Sequence, residues 1–383
     1  MHVPYQTPYY TGKEIEMVAD ALTRMELCGD GYYTKKVKSL FEEKYHIEHL
    51  IPTTSCTHAL EMAMLLIDLQ PGDEVIMPSF TFPSTANAVM LRDARPVFAE
   101  IEPETLTLDP AGLEGLITSR TRAIMPVHYG GIGCKMEQIG EIAARNRIYV
   151  VEDAAQGVDA LYRERYLGTW GDLGCFSFHS TKNFTSGEGG ALVINPIHPE
   201  WAERAEIMAQ KGTNRRQFLE GRVERYSWVD QGSSYLPSDL LMALLYAQLR
   251  ESEMITAKRR AIHEYYRMSL QKYEDDGIFR MIRVPGDCRS NYHLFYLLFK
   301  DQASRDRVKD GLKAQGVETV IHYVPLHSSP MGLRLGYREA DLPVTEKVSR
   351  TLLRLPISTG LTAAETEFVV DRVKRVVEAV ECP

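Results

Sequence analysis

Cys175-Phe176-Ser177-Phe178-His179-Ser180-Thr181-Lys182-Asn183-Phe184-Thr185-Ser186-Gly187-Glu188-Gly189-Gly190 is the stretch whose reading decides the fold. Its apolar start reads as a strand over 174–178 that delivers Ser177. A polar loop then presents Lys182, and glycines return the chain to a second apolar run at 191–194. Uninterrupted apolar runs of this length suit strands buried on both faces of a sheet. Working outward, further candidate strands lie at 49–51, 74–77, 97–101, 122–128, 148–152 and 174–178, several of them continuous apolar runs, and with 191–194 they make seven. Helical patterns at 57–69, 84–91 and 135–146 lie between them. Strands alternating with helices predict an α/β layered domain with a mostly parallel sheet.

The pattern changes after Ser238. Residues 239–273 read as one long amphipathic helix. Strands are expected at 279–284, 293–299 and 319–323, and helices at 305–315, 344–353 and 364–380. The expected division is a large α/β domain over 1–250 and a small α+β domain over 251–383, since 383 residues exceed one ordinary core. The composition, 44% hydrophobic and 25% charged, is that of a globular enzyme. A formal charge of -8 argues against a nucleic-acid partner. No apolar stretch approaches a membrane span, and the first residues do not read as a signal peptide. Cys28, Cys56, Cys134, Cys175, Cys288 and Cys382 form no CxxC pair, so neither zinc nor a disulfide framework is indicated and a cytoplasmic home is expected.

Ligands of layered α/β proteins gather beyond the carboxyl ends of the strands, and the informative polar residues follow the apolar runs. Asp153 closes the run Val150-Val151-Glu152. Alone it reads as a helix N-cap. Lys182, set between two strands beside Ser177, is a candidate for a partly desolvated amine able to act as nucleophile and proton shuttle. The Ser55-Cys56-Thr57 turn opens a helix, where free N–H groups and the dipole suit a phosphate. Phe82 offers an aromatic face at another strand end. A phosphate cradle, a carboxylate, a stacking ring and a loop lysine are together what pyridoxal phosphate requires.

These segments, SCTHALEMA, PGDEVIMPSFTFPSTANA, PVHYGG, VVEDAAQG, FSFHSTKNFTSGEGGA and HYVPLH, resemble the sugar aminotransferases of the DegT/DnrJ/StrS family, in the family's order and along nearly the whole chain. ELCGDG, KGTNR, GSSYLPSD and HYVPLH are closer still to members that make TDP-4-amino-4,6-dideoxygalactose. The resemblance implies the aspartate-aminotransferase (fold type I) architecture with a seven-stranded large-domain sheet. It also implies pyridoxal 5'-phosphate as cofactor, with pyridoxamine 5'-phosphate between two half-reactions. It makes Lys182 the Schiff-base lysine, Asp153 the carboxylate facing the pyridine nitrogen and Gln156 the neighbour of the ring hydroxyl. Ser177, Cys56 and Thr57 become phosphate contacts, and Phe82 the stacking ring. A homodimer with shared sites is expected, in which glutamate is converted to 2-oxoglutarate and a TDP-linked keto sugar takes the amine. One departure concerns Ser234, which stands where many members carry an Asn that reaches the partner's cofactor phosphate. Lys211 and Arg215 are candidates for the sugar-nucleotide diphosphate. His322, Tyr323 and His327 are expected to line the sugar pocket.

Several rivals remain at this level. The same chemistry would serve the 4-amino-4,6-dideoxyglucose epimer or a 3-keto sugar. Dehydratases of the family carry His in place of the lysine, which Lys182 disfavours. A nicotinamide-dependent enzyme or a P-loop protein would need a complete GxGxxG or GxxxxGK[ST], and neither occurs. A non-catalytic cofactor-binding regulator is the reading from another class.

Overall fold

In the computed structural model, which describes residues 1–381, the strands run in chain order as β1 (His49–Thr53), β2 (Glu74–Pro78), β3 (Arg95–Ala99), β4 (Thr121–Ile124), β5 (Tyr149–Asp153), β6 (Leu161–Tyr162), β7 (Arg165–Tyr166), β8 (Leu173–Ser177), β9 (Gly190–Ile194), β10 (Phe279–Met281), β11 (Cys288–Arg289), β12 (Phe295–Phe299) and β13 (Leu352–Leu355). Seven of them form the main sheet in the order β1-β9-β8-β5-β4-β2-β3. Neighbours from β8 to β3 are parallel, and β9 runs antiparallel to both β8 and β1. All of β2, β8 and β9 is buried, the outcome their unbroken apolar runs require.

The helix Cys56–Leu66 buries Ala59, Leu60, Met62, Ala63, Met64 and Leu66 against this sheet. It stops short of the expected residue 69 because Asp68 takes a left-handed φ of 51°. The long helix expected over 239–273 is two. Asp239–Arg250 packs Met242, Ala243, Leu245 and Leu249 into a large-domain core, and Glu251 (φ −102°, ψ 17°) breaks the run. Ser252–Asp275 starts in that core with Ile255 and continues into a second one through Ile262, Tyr266, Leu270 and Tyr273.

The second core surrounds an antiparallel sheet of order β10-β12-β13, with Phe295 opposite Leu355. Helix Ala363–Glu381 packs on helix Gln302–Ala314 beside it. Two expectations fail here. The segment 319–323 is no strand and only Val320 pairs, with Arg354. The helix expected over 344–353 ends at Thr351, where Leu352 enters β13. Pro356 follows that run and disfavours helix before it, while pairing with β12 buries all four residues. Cys382 lies outside the described residues, and the other five cysteines are free.

The N-terminal arm packs on the small domain. Val3 N–H donates to Gly316 at 2.8 Å and Tyr5 N–H to Glu318 at 3.1 Å. Helix Tyr32–Tyr45 is capped from a distance: buried Asp239 accepts from the N–H groups of Tyr33 (2.8 Å) and Thr34 (2.7 Å) and from the Thr34 hydroxyl (2.7 Å). Gly31 leaves the room, since a Cβ there would lie 2.7 Å from that carboxyl. Asp239→Ala strands three buried donors, so a loss of about 2–4 kcal/mol is expected, read as a lowered midpoint of thermal unfolding.

Candidate active site

A cleft of about 460 Å³ opens beyond the carboxyl ends of β5, β8 and β2, with the small domain across from them. Cys56, Thr57, Phe82, Asp153, Gln156, Ser177, Lys182, His322 and Tyr323 all line it. The structure thus gathers residues that are up to 267 positions apart, from Cys56 to Tyr323 (323 − 56).

Asp153 closes β5 with no helix after it. Its buried carboxylate accepts from the Thr85 hydroxyl at 2.7 Å and the Ala155 N–H at 3.2 Å. Burial pushes its pKa up, and these bonds and the charge of Lys182 act in the opposite direction. Among the described residues no cationic side chain lies within ion-pair distance of it. Lys182 stands in the loop after β8, its backbone N–H donating to the His179 carbonyl at 2.8 Å. Desolvation lowers the pKa of its amine, and the neighbouring Cys56 and Asp153 partly offset this. Phe82 precedes helix Pro83–Met90 and keeps 59% of its surface exposed, so its ring faces open space rather than core.

Gln156 is clamped at both ends of its amide. Its Oε1 accepts from the Gly130 N–H at 2.7 Å, and its Nε2 donates to the Tyr323 hydroxyl at 3.2 Å. At the start of helix Cys56–Leu66 the Ser55 hydroxyl accepts from His58 N–H at 3.1 Å, which leaves the Cys56 and Thr57 N–H groups facing the cleft beside Ser177. Gly190 makes this cradle possible, because a Cβ there would lie 2.4 Å from the Cys56 nitrogen. The residues fit pyridoxal phosphate: an anion cradle at a helix start, a buried carboxylate lacking a cation, an exposed ring and a desolvated amine.

Four expected residues are not brought into this cleft. Lys211, Arg215 and Ser234 are exposed on an excursion from the large domain, closed by the bridge of Gln210 with Ser234 and that of Thr213 with Trp228. His327 requires a correction. It is fully buried, with Nδ1 2.7 Å from Ser79 Oγ, its N–H donating to the same oxygen at 2.9 Å, and Nε2 3.4 Å from Glu346. The ring ties the small domain to the end of β2 and has no face left for a substrate. Conversely, Tyr5, His293 and Arg354 line the cleft and were not singled out from sequence. Arg354 had a signal, as the one charge in the apolar run Leu352-Leu353-Arg354-Leu355.

A seven-stranded, mostly parallel sheet with this lysine and carboxylate at its carboxyl edge defines a pyridoxal-phosphate enzyme of fold type I. The comparisons agree. The profile of the DegT/DnrJ/EryC1/StrS aminotransferase family matches residues 8–374. A GDP-perosamine synthase of Caulobacter vibrioides is 31% identical over 368 residues, covering 95% of each chain. The aminotransferase TlmJ of Streptoalloteichus hindustanus superposes with a TM-score of 0.90 at 29% identity, over 99% of this chain and 100% of that one. The PLP form of a sugar aminotransferase of Streptococcus pneumoniae gives a TM-score of 0.91 over 99% and 100%, and at 24% identity speaks to the fold alone. The chain belongs to the DegT/DnrJ/EryC1/StrS aminotransferase family. It is a sugar aminotransferase that works with pyridoxal phosphate.

Lys182→Ala is expected to abolish turnover and the visible cofactor absorbance while leaving the circular dichroism spectrum unchanged. Asp153→Asn, which keeps the shape but removes the charge, should lower kcat by about 10²–10³-fold, measured in steady state.

Proposed function

We propose that this enzyme moves the amino group of L-glutamate to C4 of TDP-4-keto-6-deoxy-D-glucose, giving TDP-4-amino-4,6-dideoxy-D-galactose. The chemistry rests on one observation, the desolvated Lys182 amine sharing a cleft with the unpaired Asp153 carboxylate. The choice of sugar is supported by ELCGDG, KGTNR, GSSYLPSD and HYVPLH in the sequence.

The bound cofactor supplies an electron sink and a carrier for the amino group. Asp153 holds a proton on the ring nitrogen by its charge, a preorganised term that needs no solvent rearrangement. Cys56, Thr57 and Ser177 hold the phosphate, and Phe82 covers one ring face. Gln156 sits at the ring hydroxyl, steadied by Gly130 and Tyr323. With the cofactor bound, Lys182 Nζ would take the proton from the donor's Cα as general base and return it to the carrier as general acid. In the second half-reaction the same nitrogen works at C4 of the sugar. His322 and Tyr323 face the sugar from the small domain.

A homodimer with shared sites belongs to this reading. The excursion that carries Lys211, Arg215 and Ser234 also leaves Leu219 65% and Trp228 79% exposed, and such an apolar surface suits a second copy. Lys211 and Arg215 then meet the diphosphate in the partner's cleft, and the Ser234 hydroxyl meets the partner's cofactor phosphate. The enzyme is assigned to the cytoplasm, in keeping with its free thiols. Among the described residues no helix is long and apolar enough to cross a membrane.

Incubation with pyridoxal phosphate, glutamate and TDP-4-keto-6-deoxy-D-glucose should yield a product whose C4 amine is axial by NMR. An equatorial amine would move the enzyme to the gluco-forming class. No product, with glutamate still bleaching the cofactor, would refute the sugar and keep the chemistry. Mixing inactive Lys182→Ala with inactive Arg215→Ala subunits should restore about a quarter of wild-type activity, since half the dimers then carry one intact site. No recovery would refute the shared site.

A further inference from the structure

Residues 290–293 join β11 to β12 and are pinned from several directions. Asn291 Nδ2 donates to the carbonyls of Gln156 (2.7 Å) and Val158 (2.8 Å), and buried Arg259 donates to those of Tyr292 (3.0 Å) and His293 (2.5 Å). The Tyr292 N–H donates to Ser290 Oγ at 2.9 Å, and Tyr292 itself takes a left-handed φ of 55°. That conformation is costly for a bulky side chain and persists only where its surroundings enforce it, most often beside a functional group. The next residue shows what is enforced. The His293 ring is 6% exposed and turned onto Asn183, the residue that follows Lys182.

Two hydrogen bonds fix which ring nitrogen carries the proton. The Asn291 carbonyl can only accept, so Asn183 Nδ2, 2.7 Å away, donates to it. Asn183 Oδ1 is then an acceptor, and His293 Nδ1, 2.9 Å from it, bears the hydrogen. Burial holds the His293 pKa well below its ordinary value, and Lys182, Arg259, Arg354 and His322 act the same way, so the ring is neutral. Its Nε2 is left with a bare lone pair, and among the described residues the ring makes no other hydrogen bond.

Lys182 and His293 both line the cleft, and both line a second cavity of about 10 Å³ with Ser177, Gln156 and Asn183. That volume is at the lower limit for a single water, so no bulk solvent separates the two side chains. An amine free of the cofactor has N–H donors to satisfy in a desolvated place. Asp153 is engaged with Thr85 and Ala155, and Cys56, its thiol pushed up by burial, is a weak acceptor. A neutral nitrogen suits the task better than a carboxylate would, because it steadies the amine without trapping it as the ammonium of an ion pair. We infer that His293 is a positioning residue for the transamination: its Nε2 accepts a hydrogen bond from Lys182 Nζ whenever the amine is free, and Asn183 locks the tautomer that permits this. The inference rests on Lys182 being the reactive lysine, and not on the donor or the sugar.

Two substitutions separate the two ring nitrogens. His293→Asn keeps a donor for Asn183 and has no atom where Nε2 stands, whereas His293→Gln reaches that place with an acceptor and gives up the bond to Asn183. The apoenzyme reads the difference without turnover: trace acetylation of Lys182, followed by peptide mass spectrometry over a pH series, gives the pH at which half of the amine is free. An acceptor favours the ammonium and raises this midpoint, so His293→Asn should lower it by about 1. His293→Gln should stay within about 0.3 of wild type. In steady state His293→Asn should lose about 30–100-fold in kcat, with KM for glutamate changed less than about threefold, because a misplaced amine slows proton transfer and not binding. His293→Gln should recover most of that loss. A crystal structure of the wild-type apoenzyme should place Lys182 Nζ about 3 Å from His293 Nε2. An unchanged midpoint in His293→Asn, the reverse order of the two variants, or a wild-type amine turned away from the ring overturns the role of His293. Cofactor fixed by borohydride on a lysine other than Lys182 overturns the transaminase site and this inference together.

Discussion

Two carboxylates, adjacent in sequence and buried in one strand, set the terms for the rest of the molecule. Strand alternation sends Glu152 and Asp153 to opposite faces of β5. Glu152 is spent entirely on structure. It accepts from the N–H groups of Gly168 (2.8 Å) and Gly171 (2.7 Å), and lies 2.7 Å from His128 Nε2. Those bonds hold a turn so close to β8 that a Cβ on Gly174 would lie 2.0 Å from the Gly168 carbonyl. Asp153 receives two neutral donors and no counter-charge, which is poor compensation for a buried acid. One acid makes the strand immovable, and the other keeps an unmet electrostatic demand aimed at the cleft. A carboxylate on a mobile loop could relax toward water and lose that demand.

Much of this was readable in the chain. Several runs of the main sheet, β2, β8 and β9 above all, are largely apolar because both faces are covered, and burial on both sides leaves little choice of secondary structure. The polar residues at the ends of β5 and β8, Asp153 and Ser177, are conspicuous because they interrupt those runs. The small domain was less legible. Its antiparallel strands are short, and Leu352-Leu353-Arg354-Leu355 satisfies a helical pattern as well as a strand. Pairing with β12 decides the matter, and pairing is a tertiary fact. His327 illustrates the same limit: its neighbours face the cleft, but the hydroxyl of Ser79, 248 positions away, claims its ring. The Gly31 contact with Asp239 was likewise invisible, because nothing local to either residue announces a cap supplied from so far along the chain.

The cleft is therefore a joint between two cores rather than a pit in one of them. Helix Ser252–Asp275 belongs to both, with Ile255 in the first and Tyr266 and Tyr273 in the second. The hydrogen bond from Gln156 to Tyr323 and the contact of His327 with Ser79 cross the same joint. A side chain that faces the cofactor and one that faces the substrate thus share their positioning, and neither lobe can shift without disturbing the other's contribution.

The arm that carries Val3 and Tyr5 has a bearing on the order in which the fold forms. Tyr5 and Gln6 line the cleft, yet the bond that fixes them joins Tyr5 to Glu318, 313 positions apart. These residues are made before the lobe they pack on and cannot settle until residues 316–318 have followed. Contacts of such sequence separation form late, because the loop they close must first be paid for in entropy. The large domain can take shape during synthesis, but a nascent chain without its small domain has a cleft with one wall missing.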